Sequence, residues 1–146
     1  MNQKIIITIL VVAVIILAGT TIYFSTVAST DWKSYQNEKY GFGLTFPITW
    51  LGYNATNRTL DWGSFGTSDS MDFGLPSQKD GLFNISIHTK KQWEDIKSEG
   101  GPAPEYLGEN EIYVFARAQS QYAADSEMEE RIKEVQDIIE TFKLDK

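Results

Sequence analysis

The chain has 146 residues, no cysteine, and 20 acidic against 13 basic side chains, for a net charge of −7 with its one histidine neutral. The missing cysteine excludes disulfides, thiolate chemistry and zinc-thiolate sites together. Setting Lys4 aside leaves 12 basic and 20 acidic residues, a balance of −8 that repels phosphate backbones and anionic lipid, so nucleic acid is not an expected partner and the charged part should stand off the membrane.

From Ile5 to Phe24 the residues are uncharged and mostly Ile, Val and Leu. As a helix rising ~1.5 Å per residue this run spans ~30 Å, the hydrocarbon thickness of a bilayer. Its length favours a permanent anchor over a cleaved signal, although Thr26-Val27-Ala28 and Val27-Ala28-Ser29 both fit small-x-small cleavage sites. Without a cysteine after it the segment cannot be a bacterial lipoprotein signal, and without a glutamate near its start it does not fit a type IV pilin. Lys4 is the only charge before the span, which orients the N-terminus to the cytoplasm and the remainder outside, with Tyr23 at interfacial depth. The expected organisation is therefore a cytoplasmic N-terminus (1–4), a transmembrane anchor or uncleaved signal (5–24), a linker (25–31) and one extracytoplasmic domain (32–146). About ten residues join Phe24 to Tyr35, which at ~3.3–3.6 Å each holds the domain within ~35 Å of the bilayer.

Within the domain, Tyr40 to Phe46 alternates, with Tyr40, Phe42, Leu44 and Phe46 on one face and Pro47 stopping the run, which predicts a half-buried strand. Thr59 to Phe65 reads as a weaker strand with Leu60 and Trp62 in phase, followed by a loop rich in Gly, Ser and Asp. Leu82 to Thr89 alternates again, Phe83, Ile85 and Ile87 against Asn84, Ser86 and His88. Thr89 is placed to cap a short helix carrying Trp93 and Ile96 that ends at Gly100-Gly101-Pro102. Glu111 to Ala118 is a strand with apolar residues on both faces. Last comes a helix opened by a Ser126/Glu129 capping box, with Met128, Ile132, Val135, Ile138, Ile139 and Phe142 in one stripe and Glu127, Glu130, Lys133 and Glu140 off it. A stripe of that kind needs a sheet to cover, which predicts an α+β domain: an antiparallel sheet packed by a C-terminal helix.

Tyr40-Gly41-Phe42-x-Leu44-x-Phe46-Pro47-x-x-Trp50, preceded by Asn37-Glu38-Lys39, resembles the opening motif of PsbP-like domains, and Ile138 to Leu144 is similar to the last-helix ending of that group. The resemblance covers nearly all of the domain. It implies an α/β envelope protein with an N-terminal anchor or signal, and because its residues are core aromatics and turn formers it implies fold more than activity. Calcium or chloride retention at a photosystem and Ran binding belong to particular branches of the group, and no residue here matches either.

Residues with possible chemistry are few. His88 is the lone histidine, without an adjacent partner to orient it, and its place on the polar side of an alternating strand predicts a solvated or cross-strand role. Neither G-x-S-x-G nor S-x-x-K occurs. Asp69 to Asp80 has acids at the first and twelfth positions and Gly74 at the sixth of a calcium loop, but Met71 and Phe73 stand where oxygen ligands belong. A nonstandard cation site would draw on Asp61, Asp69, Asp72 and Asp80. Asn54, Asn57 and Asn84 begin N-x-S/T triplets and are read as ordinary polar residues. Trp32, Trp50, Trp62 and Trp93, left exposed beside acids, would suit a glycan or small ligand. These features together predict a membrane-tethered accessory module without catalysis or cofactor that engages an envelope or membrane protein, with a ligand binder as the alternative and a hydrolase behind it.

Overall fold

The computed structural model describes residues 33–76 and 81–145. The anchor segment 5–24, the linker and Trp32 lie outside the described residues, and among the described residues no helix is long and apolar enough to cross a membrane. The chain runs β1 (Lys33–Asn37), β2 (Phe42–Phe46), β3 (Asn54–Asp61), β4 (Thr67–Gly74), β5 (Phe83–Thr89), α1 (Lys90–Ser98), β6 (Glu105–Glu109), β7 (Tyr113–Gln119), α2 (Ser126–Glu140) and β8 (Lys143–Leu144), with single 3-10 turns at Ile48–Trp50 and Gly63–Phe65.

The strands form two antiparallel sheets where one was expected. A small sheet has the order β1-β2-β8, and a five-stranded sheet the order β3-β4-β5-β7-β6. β1 and β2 make a hairpin that pairs Lys33 with Phe46 and Asn37 with Phe42. Its turn is fixed by Asn37 Oδ1, which accepts from the Tyr40 N–H at 3.2 Å, and by Gly41 at φ 71°, a conformation a Cβ would strain. That turn takes Tyr40 and Gly41 out of the strand predicted to begin at Tyr40.

Alternation along the large sheet decides what each face meets. Met71, Phe73, Phe83, Ile85, Ile87 and Phe115 point to one face, where they join Phe42, Leu44 and Phe46 of β2 and Val135, Ile138 and Ile139 of α2 in a single core. Rings link the two sheets: Phe42 meets Phe115 at 5.5 Å between centroids, and Phe46 meets Phe73 at 5.4 Å and stacks on Tyr53 at 4.1 Å. α1 covers the opposite face through Trp93, which packs with Val114 and Ala116. Thr89 caps α1 as predicted, accepting from the Gln92 N–H at 3.2 Å. β7 is buried on both faces at Val114, Phe115 and Ala116, and its end at Ala118 and Gln119 is exposed.

Three expectations are corrected. The weaker strand at 59–65 is instead β3, ending at Asp61, because the Asp61 carboxylate accepts from the Gly63 N–H and starts a turn with Gly63 at φ 61°. The loop after it contains β4, an interior strand paired on both sides, where Ser68 and Ser70 are buried. Its small polar residues read as loop by composition, but tertiary pairing overrides that preference. Finally, α2 is capped by Asp125, whose side chain accepts from Met128 N–H at 2.8 Å, and Ser126 is the first helical residue.

Candidate functional site

β5 carries His88, Ser86 and Asn84 onto the face beneath α1. The expected solvated histidine is corrected: His88 is fully buried, 5.1 Å from the Trp62 ring and 5.5 Å from the Trp93 ring between centroids. The alternation was read correctly, but α1 folds back from Thr89 and roofs the polar face. Nε2 lies 2.8 Å from Ser86 Oγ, which is also 3.2 Å from the Ala116 carbonyl, and Nδ1 has no hydrogen-bond partner among the described residues. Ser86 has one proton to give, so either tautomer leaves Nδ1 unsatisfied.

Around the ring the polar atoms are spent on structure. The Trp62 indole N–H donates to Ser68 Oγ at 2.8 Å, and the Gln92 amide donates to the carbonyls of Phe65 and Thr67, tying α1 to the turn before β4. Ser86 and His88 have the spacing of a nucleophile and base, yet both are buried and, among the described residues, no carboxylate orients the ring. A Ser-His pair of that kind has neither the third group nor the access that acyl transfer uses.

Burial pushes the His88 imidazolium below its ordinary value near 6.5, the Gln92 side chain opposing the shift from outside hydrogen-bond geometry. With the folded pKa depressed, the unfolded chain binds a proton that the native chain refuses. Stability is therefore expected to be flat above pH 6.5 and to fall as pH drops below it. Urea midpoints of residues 30–146 at pH 7.5 and 5.5 test this, and His88→Gln should remove the difference; an equal drop in the variant would assign it elsewhere. Asp69, held low by the Tyr40 hydroxyl and Lys39, acts in the same direction but in the carboxylate range.

The aromatic row continues outward. Trp93 lies 6.1 Å from Tyr106 between centroids, and the two rings with Glu94, Lys97 and Glu109 line a shallow depression of about 330 Å³. Tyr106 is half exposed, whereas Trp93 shows 5% of its surface and offers a ligand little more than an edge. Trp50 is core: its indole N–H donates to Glu134 at 2.9 Å. Trp62 is partly buried.

The acids proposed for a cation do not converge. Asp61 holds its turn, Asp69 binds Tyr40 and Lys39, and Asp72 pairs with Arg58 at 3.1 Å and accepts from Ser70. Three residues apart on one strand, Asp69 and Asp72 point to opposite faces. Asp80 lies outside the described residues, and among the described residues no three acidic or histidine side chains gather. Of the sequon residues, Asn57 is exposed on β3, Asn54 reaches the Leu75 carbonyl at 3.5 Å, and Asn84 keeps its Oδ1 buried without a partner.

A feature missed in the sequence is one of the two edges of the large sheet, β3, the other being β6 with its register shift between Tyr106 and Gly108. β3 is eight residues long, pairs with β4 in unbroken register from Asn54 to Asp61, and is exposed along its length except at Leu60. Edges are commonly guarded by proline, lysine or a bulge. β3 has none of these, and its one basic residue, Arg58, is occupied by Asp72. The signal in the sequence was weak because NATNRTLD carries almost no apolar alternation. No protein-family model, curated protein or solved structure matches this chain.

Proposed function

We propose that the chain is a membrane-tethered, extracytoplasmic binding module without catalytic activity, which engages an envelope or membrane protein through the free edge of β3. The observation that carries this reading is the unguarded edge itself, since an extended segment of a partner can add to it as a sixth strand and gain main-chain hydrogen bonds. The sealed Ser86–His88 pair supports a role other than turnover. The uncharged run at 5–24 supports the tether, which raises the effective concentration toward other membrane proteins so that a weak edge contact suffices. The likeness to PsbP-like domains stays part of the proposal: the residues that carry it build the β1–β2 turn, β2 and the Trp50 turn, so they support a common fold and no particular activity.

A photocrosslinking residue at Asn57, in full-length protein in its native membrane, should capture one specific membrane or envelope protein, while the same residue at Ile112 should not. The domain without Met1 to Phe24 should complement a deletion poorly, and an unrelated anchor should restore it. Full complementation by the untethered domain, or turnover of a soluble substrate abolished by His88→Ala, would sink the proposal. The second reading, a glycan or small-ligand binder, is favoured by one observation, the Trp93 and Tyr106 rings beside Glu94 and Glu109. It predicts that Tyr106→Ala, but not a substitution at Asn57, removes function.

A further inference from the structure

Among the described residues the exposed large apolar side chains are Ile48, Leu51, Tyr106, Ile112 and Tyr122. Their placement is uneven. Ile48 opens the 3-10 turn that follows Phe46 and Leu51 closes it, its N–H bonding the Ile48 carbonyl, so the two stand three residues apart on one side of a three-residue repeat. Phe46 is the residue paired with Lys33, where the described chain begins. Trp50 and Phe46 both pack on Phe83, and Phe83 pairs with Gln119, so this is also the end of the large sheet from which the chain leaves toward Tyr122. Ser120 Oγ fixes that departure by donating to the Tyr122 carbonyl at 2.9 Å. Ile112 is at the other end: Tyr113 beside it packs on Tyr40 at 5.4 Å, and Asn110 donates to the Tyr40 carbonyl. Three of these five residues thus share the end at which Lys33, the first described residue, lies.

We propose that this end is a membrane-docking tip, with Ile48 and Leu51 entering the headgroup region of the bilayer that holds residues 5–24 and Tyr122 lying at the interface. The inference rests on the tether reading above. Its occupant is set by the length of chain outside the described domain: eight residues, 25–32, separate Phe24 from Lys33, at most ~30 Å when fully extended at ~3.3–3.6 Å each. Lys33 is therefore held within that distance of the bilayer, and Phe46 is one strand spacing from Lys33, roughly 5 Å. A pair of apolar side chains would not hold a free domain on lipid, but the tether makes docking intramolecular, so a weak contact is sufficient. The surface is expected to be zwitterionic, because Asp125, Glu127, Glu129 and Glu130 open α2, which begins just after Tyr122, and they oppose anionic lipid. This refines the expectation that the acidic domain stands off: charge repels the body while the tip touches.

Full-length protein reconstituted into phosphatidylcholine vesicles tests it, since a chain without cysteine accepts single-cysteine labels at will. Ile48→Cys, Leu51→Cys and Ile112→Cys would each carry an environment-sensitive nitrobenzoxadiazole dye. The expected result is blue-shifted emission at 48 and 51, quenched several-fold more by doxyl-labelled lipid than emission at 112, and weakened when phosphatidylglycerol replaces part of the phosphatidylcholine. Water-like emission at all three positions, with the protein still resisting carbonate extraction, would overturn the docking and leave the tether reading standing. Release by carbonate would overturn both. Emission at 48 and 51 that is water-like in pure lipid and shifts only in native membranes would overturn the bilayer as occupant and assign the tip to a partner protein.

Discussion

Phe46→Ala is expected to lower the unfolding free energy of residues 30–146 by about 3–5 kcal/mol, the range for truncating a fully buried aromatic residue whose surroundings cannot collapse. Phe46 is the point where the two sheets meet. Its ring lies 4.1 Å from Tyr53, 5.4 Å from Phe73, 5.6 Å from Trp50 and 6.3 Å from Phe83 between centroids. Those neighbours come from β4, β5 and the segment after β2, so no single movement can close the space. Glu130→Ala, at a side chain 70% exposed and 3.6 Å from Arg131, should shift stability by less than about 0.5 kcal/mol. Equal urea midpoints for the two variants would mean that the small sheet does not pack on the large one as described.

Glu134→Ala is expected to cost about 2–3 kcal/mol, because it strands the buried Trp50 indole N–H and the mostly buried Arg131 guanidinium at once. The carboxylate accepts from the Trp50 indole N–H and the Thr49 hydroxyl at 2.9 Å each, and from Arg131 at 2.6 and 2.7 Å. Trp50 is 1% exposed and Arg131 keeps 12% of its side chain in water, with Nε already unpartnered. Glu134 itself retains 29% exposure, which places the cost below that of a fully sealed pair. Glu134→Gln keeps an acceptor for Trp50 but loses the charge opposite Arg131, so an intermediate loss is expected in thermal or urea unfolding. A loss as large for Gln as for Ala would assign the effect to Arg131 alone.

The parts of this fold legible in the sequence are those with strong periodicity. β5 and β7 alternate, α2 has an i, i+3, i+4 stripe, and Thr89 sits one residue before a helical pattern, so each was placed to within a few residues. β4 was not, because Thr67, Ser68, Asp69 and Ser70 resemble a loop until strands on both sides satisfy their backbone. β8 has too few residues to carry a period, β1 (KSYQN) has a single large apolar residue in Tyr35, and both exist through β2. Polarity misled at His88: alternation gives the face a side chain points to, and whether that face is wet depends on α1, which is built from residues that follow it. The β3 edge left only a weak signal, since an edge is defined by the absence of a strand beside it, here among the described residues, and not by a pattern within the strand.

β2 is held on one side by the first strand of the domain and on the other by the last, Phe42 pairing with both Asn37 and Leu144. Asp145 closes the arrangement, its backbone N–H bonding the Gly41 carbonyl at 2.9 Å and its carboxylate taking two bonds from Gln36. A chain emerging N-terminus first therefore cannot finish its small sheet until residue 144 has appeared, after more than a hundred residues of waiting. Such long-range closure slows folding relative to local contacts. Completion of the small sheet thus waits on residues 143–145, and trimming them would leave the β8 side of β2 unpaired while its β1 side stayed closed.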